Sequence, residues 1–296
     1  MSAKETNQHI IQVNNFNIDT DLIFTKPKQN NQGGKSVGIL NNATKKALYI
    51  ETPPMMNWGV NVYENTNGNS YDTNIQFPRE EYSNENIDNL LSKLIEFEKN
   101  IKNKAKENSK EWFGKTNMSD EVIDALWSPM LKYPKDTNGD PDYNRKPTIR
   151  IKLPMWENEP KFTLFNPKQE ILVPNDEYIM VDNFIKKGST IATIMMCGGI
   201  WFANGKFGVT WKLFQGVVQQ VDDLQNNKCH INVSTYDSDG EDDIPNIEKL
   251  NIKQAEENPK DEIQQDEIPK DEIPKDEDNE DDDKTKKKKS NKKTKK

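Results

Sequence analysis

The chain has 296 residues, 32% hydrophobic and 30% charged, with 49 acidic against 41 basic side chains and a net charge of −8. That is too polar for a wholly globular protein, so part of it is expected to stay unfolded. Two cysteines exclude a disulfide framework, two histidines argue against a metal centre, and the longest nearly apolar stretch, Ile191 to Ala203, is too short to span a bilayer; a reducing, intracellular setting without a membrane follows.

The charge is unevenly placed. Residues 237–283 hold 21 acidic side chains and 5 lysines, and residues 284–296 hold nine lysines. Residues 1–236 are left with 27 basic and 28 acidic side chains, nearly neutral.

In chain order, residues 1–35 are rich in Asn, Gln and Lys and read as a largely irregular segment with one strand at Phe16 to Phe24 and a loop over Gln29 to Lys35. Gly34-Lys35-Ser36 imitates the end of a phosphate loop, but Gln29 stands where that motif needs a glycine. Short strands are predicted at Ser36–Leu40, Ala47–Glu51 and Trp58–Tyr63, a spacing typical of an antiparallel barrel or sandwich.

Ser83 opens an amphipathic helix with Ile87, Leu90, Leu91, Leu94, Ile95 and Ile101 on one face. Ser119 caps a shorter one carrying Val122, Ile123, Leu126 and Trp127, stopped by Pro129. Asp136, Asn138 and Asp140 resemble the start of a calcium loop, yet its sixth and twelfth positions are Pro141 and Pro147, so a solvated turn is expected.

From Thr148 the pattern alternates strictly: Ile149, Ile151 and Leu153 inward, Thr148, Arg150 and Lys152 outward. Further strands are predicted at Phe162–Phe165, Ile171–Val173, Tyr178–Val181, Ile191–Cys197 and Val217–Val221. Asn204-Gly205 predicts a type I′ hairpin, because both central residues need positive φ. Its register pairs Ala203 with Lys206, Trp201 with Gly208, Ile200 with Val209, Gly199 with Thr210 and Gly198 with Trp211. One face is then apolar throughout (Phe202, Phe207, Ile200, Val209, Trp211, Met196, Leu213), with Trp211 in the core. The other sets Trp201 among Gly208, Thr210, Cys197, Lys206 and Lys212. There the indole either stacks on a base of a single strand running beside the lysines or covers the strand glycines.

From Pro259 the tail repeats PKDEI, QQDEI, PKDEI and PKDED, with isoleucine the recurrent apolar residue. It cannot bury a core and is expected to be a solvated chain, serving as a strand mimic, a docking segment or a solubility device.

The segments Lys146-Pro-Thr-Ile-Arg150-Ile-Lys152-Leu-Pro154, Gly199-Ile-Trp201 and Lys206-Phe-Gly208-Val-Thr-Trp211-Lys212 resemble the single-stranded DNA-binding proteins of nucleocytoplasmic large DNA viruses, over roughly residues 115–221. The resemblance implies an OB-like barrel that coats single-stranded DNA during viral replication in host cytoplasm. The Asn-rich N-terminal region and the basic end depart from that pattern.

The fold expected is α+β, mainly antiparallel β: an OB-like barrel within residues 36–236, one or two packed helices inserted near 83–128, and a disordered tail of an acidic part (237–283) and a lysine-rich end (284–296). The expected binding residues are Arg150, Lys152, Trp201, Lys206, Thr210 and Lys212. No enzymatic motif is present, and no cofactor or metal is expected. Expected partners are single-stranded nucleic acid, DNA by preference, replication proteins through the acidic tail, and further copies of the chain on DNA. The alternative is a structural or genome-packaging virion protein.

Overall fold

The computed structural model describes residues 9–29, 34–64, 68–157, 159–175 and 181–220. All fall within one compact unit, residues 1–230. The acidic repeat, the lysine-rich end and the predicted strand at Tyr178 lie outside the described residues, apart from Val181, which opens a short 3-10 turn.

Five strands organise the unit: β1 (Met55–Tyr63), β2 (Ser70–Gln76), β3 (Thr148–Leu153), β4 (Lys187–Ala203) and β5 (Lys206–Gln219). β1 pairs with β2, β2 with β3, β3 with β5, β5 with β4, and β4 returns to β1. The ring is closed, and only the β3–β5 seam is parallel. This is the OB-like, mainly antiparallel α+β barrel expected, and closure leaves none of the five strands as a bare edge. β2 was not anticipated. Its sequence, Ser-Tyr-Asp-Thr-Asn-Ile-Gln, alternates the strand formers Tyr71, Thr73 and Ile75 with polar residues, a period-two signal among Asn-rich neighbours that the sequence reading passed over.

The alternation in β3 holds: Ile149, Ile151 and Leu153 are buried, while Thr148, Arg150 and Lys152 are half-exposed. Trp211 is 1% exposed, and its indole N–H points to Met130 Sδ at 3.1 Å. Helix α1 (Glu85–Glu107) starts two residues after Ser83, because Asn84 is the cap: its Oδ1 accepts the Ile87 N–H at 3.1 Å. It buries Ile87, Leu90, Leu94, Phe97, Ile101 and Ala105, a spacing of three and four that follows the helical period. Ile95, expected on that face, is exposed instead. Phe97 meets the Trp211 ring at 5.5 Å and the Phe16 ring at 6.4 Å, so the N-terminal segment also reaches the core. Helices α2 (Ser109–Phe113) and α3 (Asp120–Leu126) follow, and Trp112 and Phe113 pack edge-on against Phe202. No helix among the described residues is long and apolar enough to cross a membrane.

The β4–β5 hairpin keeps the predicted register from Ala203–Lys206 to Ile200–Val209 and then departs from it. Gly198 and Gly199 face the single residue Thr210, so Cys197 rather than Gly198 pairs with Trp211. Gly199 sits at φ +82°, and a Cβ there would lie 2.6 Å from the Val37 carbonyl oxygen; only glycine fits. Cys197 is therefore buried in the core, where burial pushes its thiol up to about 12, and Met196 faces outward, the reverse of the expected parity. A second bulge, with Phe214 as the extra residue on β5, restores the register, so that Ile194 pairs with Gln215 and Ile191 with Val218.

Short strands cover the remaining edges of the hairpin. Lys35–Val37 and Tyr49–Glu51 pair with β4, while Trp127–Ser128 and Thr163–Phe165 pair with β5. Ile171–Val173 pairs with Thr163–Phe165.

Candidate nucleic-acid interface

The site is built on the outer face of the barrel, where successive pairings set one row of side chains across six strands. Asn61 on β1 pairs with Asp72 on β2, Asp72 with Lys152 on β3, Lys152 with Lys212 on β5, Lys212 with Met196 on β4, and Met196 with Tyr49. Paired residues share a face, so Lys152 and Lys212 stand side by side. Two residues earlier on the same strands, Arg150 and Thr210 face the same way.

Arg150 is tied down. Its Nε donates to Asp72 Oδ2 at 2.6 Å and its Nη2 contacts the same oxygen. Asp72 is 1% exposed, and its other oxygen accepts from Asn61 Nδ2 at 2.8 Å. The Arg150 guanidinium also lies 5.2 Å from the centre of the Tyr63 ring, a cation–π contact. Burial, and then the Asp72 charge, push the Tyr63 phenol above its ordinary range, with Arg150 pulling the other way. Tyr63 is therefore a neutral, flat surface at physiological pH.

Trp58 adds a second such surface and is 44% exposed. Its indole N–H donates to Gln76 Oε1 at 3.2 Å, while Gln76 Nε2 donates to the carbonyls of Phe77, Lys146 and Pro147. Lys187 Nζ lies 5.2 Å from the ring centre. The close approach is made by a bulge at Gly59, φ +85°, where a Cβ would meet the Lys187 backbone nitrogen at 3.2 Å. On the other side of the lysine pair, the bulged Phe214 is 40% exposed and meets the Tyr49 ring edge-on at 4.9 Å.

Of the six expected residues, Arg150, Lys152, Thr210 and Lys212 form one patch on β3 and β5. Trp201 and Lys206 lie toward the hairpin tip, with Gly208, the partner of Trp201, about 13 Å along β5 from Lys212. Trp201 is half-buried over Gly208. Lys206 Nζ donates to the Ala125 carbonyl at 2.7 Å, at the C-terminal end of α3, where a cation is favourable. Tyr49, Trp58, Tyr63, Lys187 and Phe214 were missed by the sequence reading. Tyr49, Trp58 and Tyr63 stood in predicted strands; Tyr49 faces outward by alternation with the buried Leu48 and Ile50, and Phe214 by alternation with Trp211 and Leu213, whereas the relative facing of Trp58 and Tyr63 depends on the bulge between them.

No protein-family model matches the chain, and no curated protein does. Among solved structures, the chain is similar to the single-stranded DNA-binding protein of bacteriophage Enc34 with its C-terminus truncated, at 12% identity and a TM-score of 0.39, over 68% of this chain and 96% of that one. The same phage protein in complex with single-stranded DNA gives 12% identity and a TM-score of 0.34, over 67% and 97%. For gp2.5, the single-stranded DNA-binding protein of bacteriophage T7, the values are 11% and 0.37, over 62% and 98%. With likenesses this distant, the functional reading rests on the face itself.

Proposed function

We propose that the outer face of β3 and β5 binds single-stranded nucleic acid, DNA by preference, with little dependence on sequence and without catalysis. The observation that carries this is the Lys152–Lys212 pair, set side by side in register between the Tyr49/Phe214 ring pair on one side and Tyr63 on the other, with Trp58 exposed further along β1. Two lysines side by side in one row present adjacent positive charges to the phosphates of a strand laid over them. Exposed rings on either side give unpaired bases a surface to stack on, which a duplex, with its bases already stacked, does not use. The setting is that implied by the large-DNA-virus resemblance: replication or repair of a viral genome in host cytoplasm, with the acidic repeat recruiting replication proteins.

Gel-shift and tryptophan-fluorescence titrations with single-stranded DNA, duplex DNA and RNA of equal length test the reading. Single strands are expected to bind more tightly than duplex and to quench the exposed Trp58. Equal affinity for duplex, or no binding at low salt, overturns it.

A further inference from the structure

One outward step from the lysine row lies a second row, in which Glu51 pairs with Ile194 and Ile194 with Gln215. These residues line a groove of about 260 Å³. Its walls are Phe165, Ile194 and Val217, and its polar groups include Glu51, Gln169 and Gln215. The groove is smaller than the roughly 300–1,000 Å³ pockets of drug-sized ligands, and two residues along a strand put it about 7 Å from the lysine row. Phe214, the unpaired residue of the second bulge, sits in the chain between Lys212 and Gln215.

Resting on the single-strand reading above, we infer that this groove takes one unstacked base of the bound strand and selects bases that carry an exocyclic amino group. Three observations converge. The groove's row follows the lysine row two residues along β4, so a backbone held at Lys152 and Lys212 has a base within reach of it. Its wall residues are apolar, as a ring needs. And its mouth holds a carboxylate, which repels phosphate and so admits a base rather than the backbone.

The same carboxylate decides which base. Glu51 accepts an N–H from the amino group of cytosine, whereas the O4 of thymine at that position brings two acceptors together. The Gln169 and Gln215 amides supply donors and acceptors for the ring nitrogen and O2. Glu51 is held by Gln12, whose Nε2 donates to one carboxylate oxygen. Gln169 is placed by a turn in which Asn166 Oδ1 accepts the N–H groups of Lys168 and Glu170 at 2.9 Å each, with Gln169 itself at φ +65°.

The test compares affinities of the full chain for oligo-dC and oligo-dT of one length at one salt concentration. The wild type is expected to favour oligo-dC by at least about 5-fold, the lower end of what one well-read base is worth. Glu51→Gln should bring the ratio toward unity while leaving oligo-dT binding at least as tight as before. Ala192→Leu, which fills the groove with the carboxylate in place, should also abolish the preference, with thermal unfolding confirming that both variants fold. The double variant Lys152→Ala/Lys212→Ala should weaken both ligands and keep the ratio. A wild-type ratio of unity, or a preference that survives both groove variants, overturns the inference while single-strand binding stands. Failure of the wild type to bind either oligonucleotide overturns the interface itself.

Discussion

The Trp201 indole lies directly over Gly208: a Cβ on Gly208 would come within 2.8 Å of its Cζ2 and within 2.9 Å of the Ser128 carbonyl oxygen. The glycine is the space the ring fills, and the ring shields a strand position that has no side chain of its own. Gly208→Ala should therefore overpack the hairpin and cost about 1–3 kcal/mol, read from urea unfolding. Trp201→Ala should lower stability too, by less than the roughly 3–5 kcal/mol of a fully buried tryptophan, and leave the salt dependence of DNA binding unchanged.

The lysine pair makes a prediction of different kind. Each phosphate neutralised on a single strand contributes about 0.7 to the log–log slope of affinity against salt. Lys152→Ala/Lys212→Ala should thus reduce that slope by about 1.4, as measured by titration across a salt series. An unchanged slope places the backbone elsewhere. Phe214→Ala should leave the slope alone and weaken binding by about 1–3 kcal/mol, the usual effect of losing one stacking ring.

Arg150 belongs to the fold as much as to the face. Removing it strips the carboxylate of Asp72, 1% exposed, of its contacts with the guanidinium. Arg150→Ala should destabilise strongly, though by less than the ~3–5 kcal/mol of a fully buried pair, since the arginine side chain is 38% exposed. Adding Asp72→Asn should recover part of the loss. If the double variant is no more stable than the single one, Asp72 does not depend on Arg150.

Glu98 on α1 predicts a dependence on pH. Its Oε1 accepts the N–H groups of Met130 at 2.7 Å and Leu131 at 3.3 Å, but burial outweighs these bonds and pushes its carboxyl above the ordinary range. Between the unfolded and folded pKa values the folded chain binds more protons than the unfolded one, so stability falls as pH rises through that window. Glu98→Gln keeps an acceptor for both N–H groups and removes the charge. Its stability relative to wild type should therefore grow as pH rises from about 4. A constant difference across denaturation curves at several pH values would show that folding leaves the Glu98 carboxyl titrating as in the unfolded chain.

The sequence by itself determined what local chemistry can carry. Asn204-Gly205 set the hairpin and its first four pairs, because a turn with two positive φ values fixes its own register. Strict alternation gave the facing of every residue in β3, and the helical period gave α1 with all but Ile95 correctly placed. Trp211 could be assigned to the core from four residues of unbroken pairing.

What only the tertiary structure decided lies beyond a bulge or across a seam. A strand's side-chain period is two, so the double glycine at 198–199 reversed Cys197 and Met196, and the extra residue at 214 put Gln215 on the outer face, where unbroken alternation would turn it inward. β2 carried a weak local signal, the alternation of Tyr71, Thr73 and Ile75, but that its Asp72 is buried on the other face follows only from neighbours on both sides. Lys152 and Lys212, sixty residues apart, become neighbours through the one parallel seam of the barrel, and Asp72 becomes the counter-charge of Arg150 through the adjacent one. Those juxtapositions come from ring closure, a property of the whole set of strands, whereas the sequence specifies each strand separately.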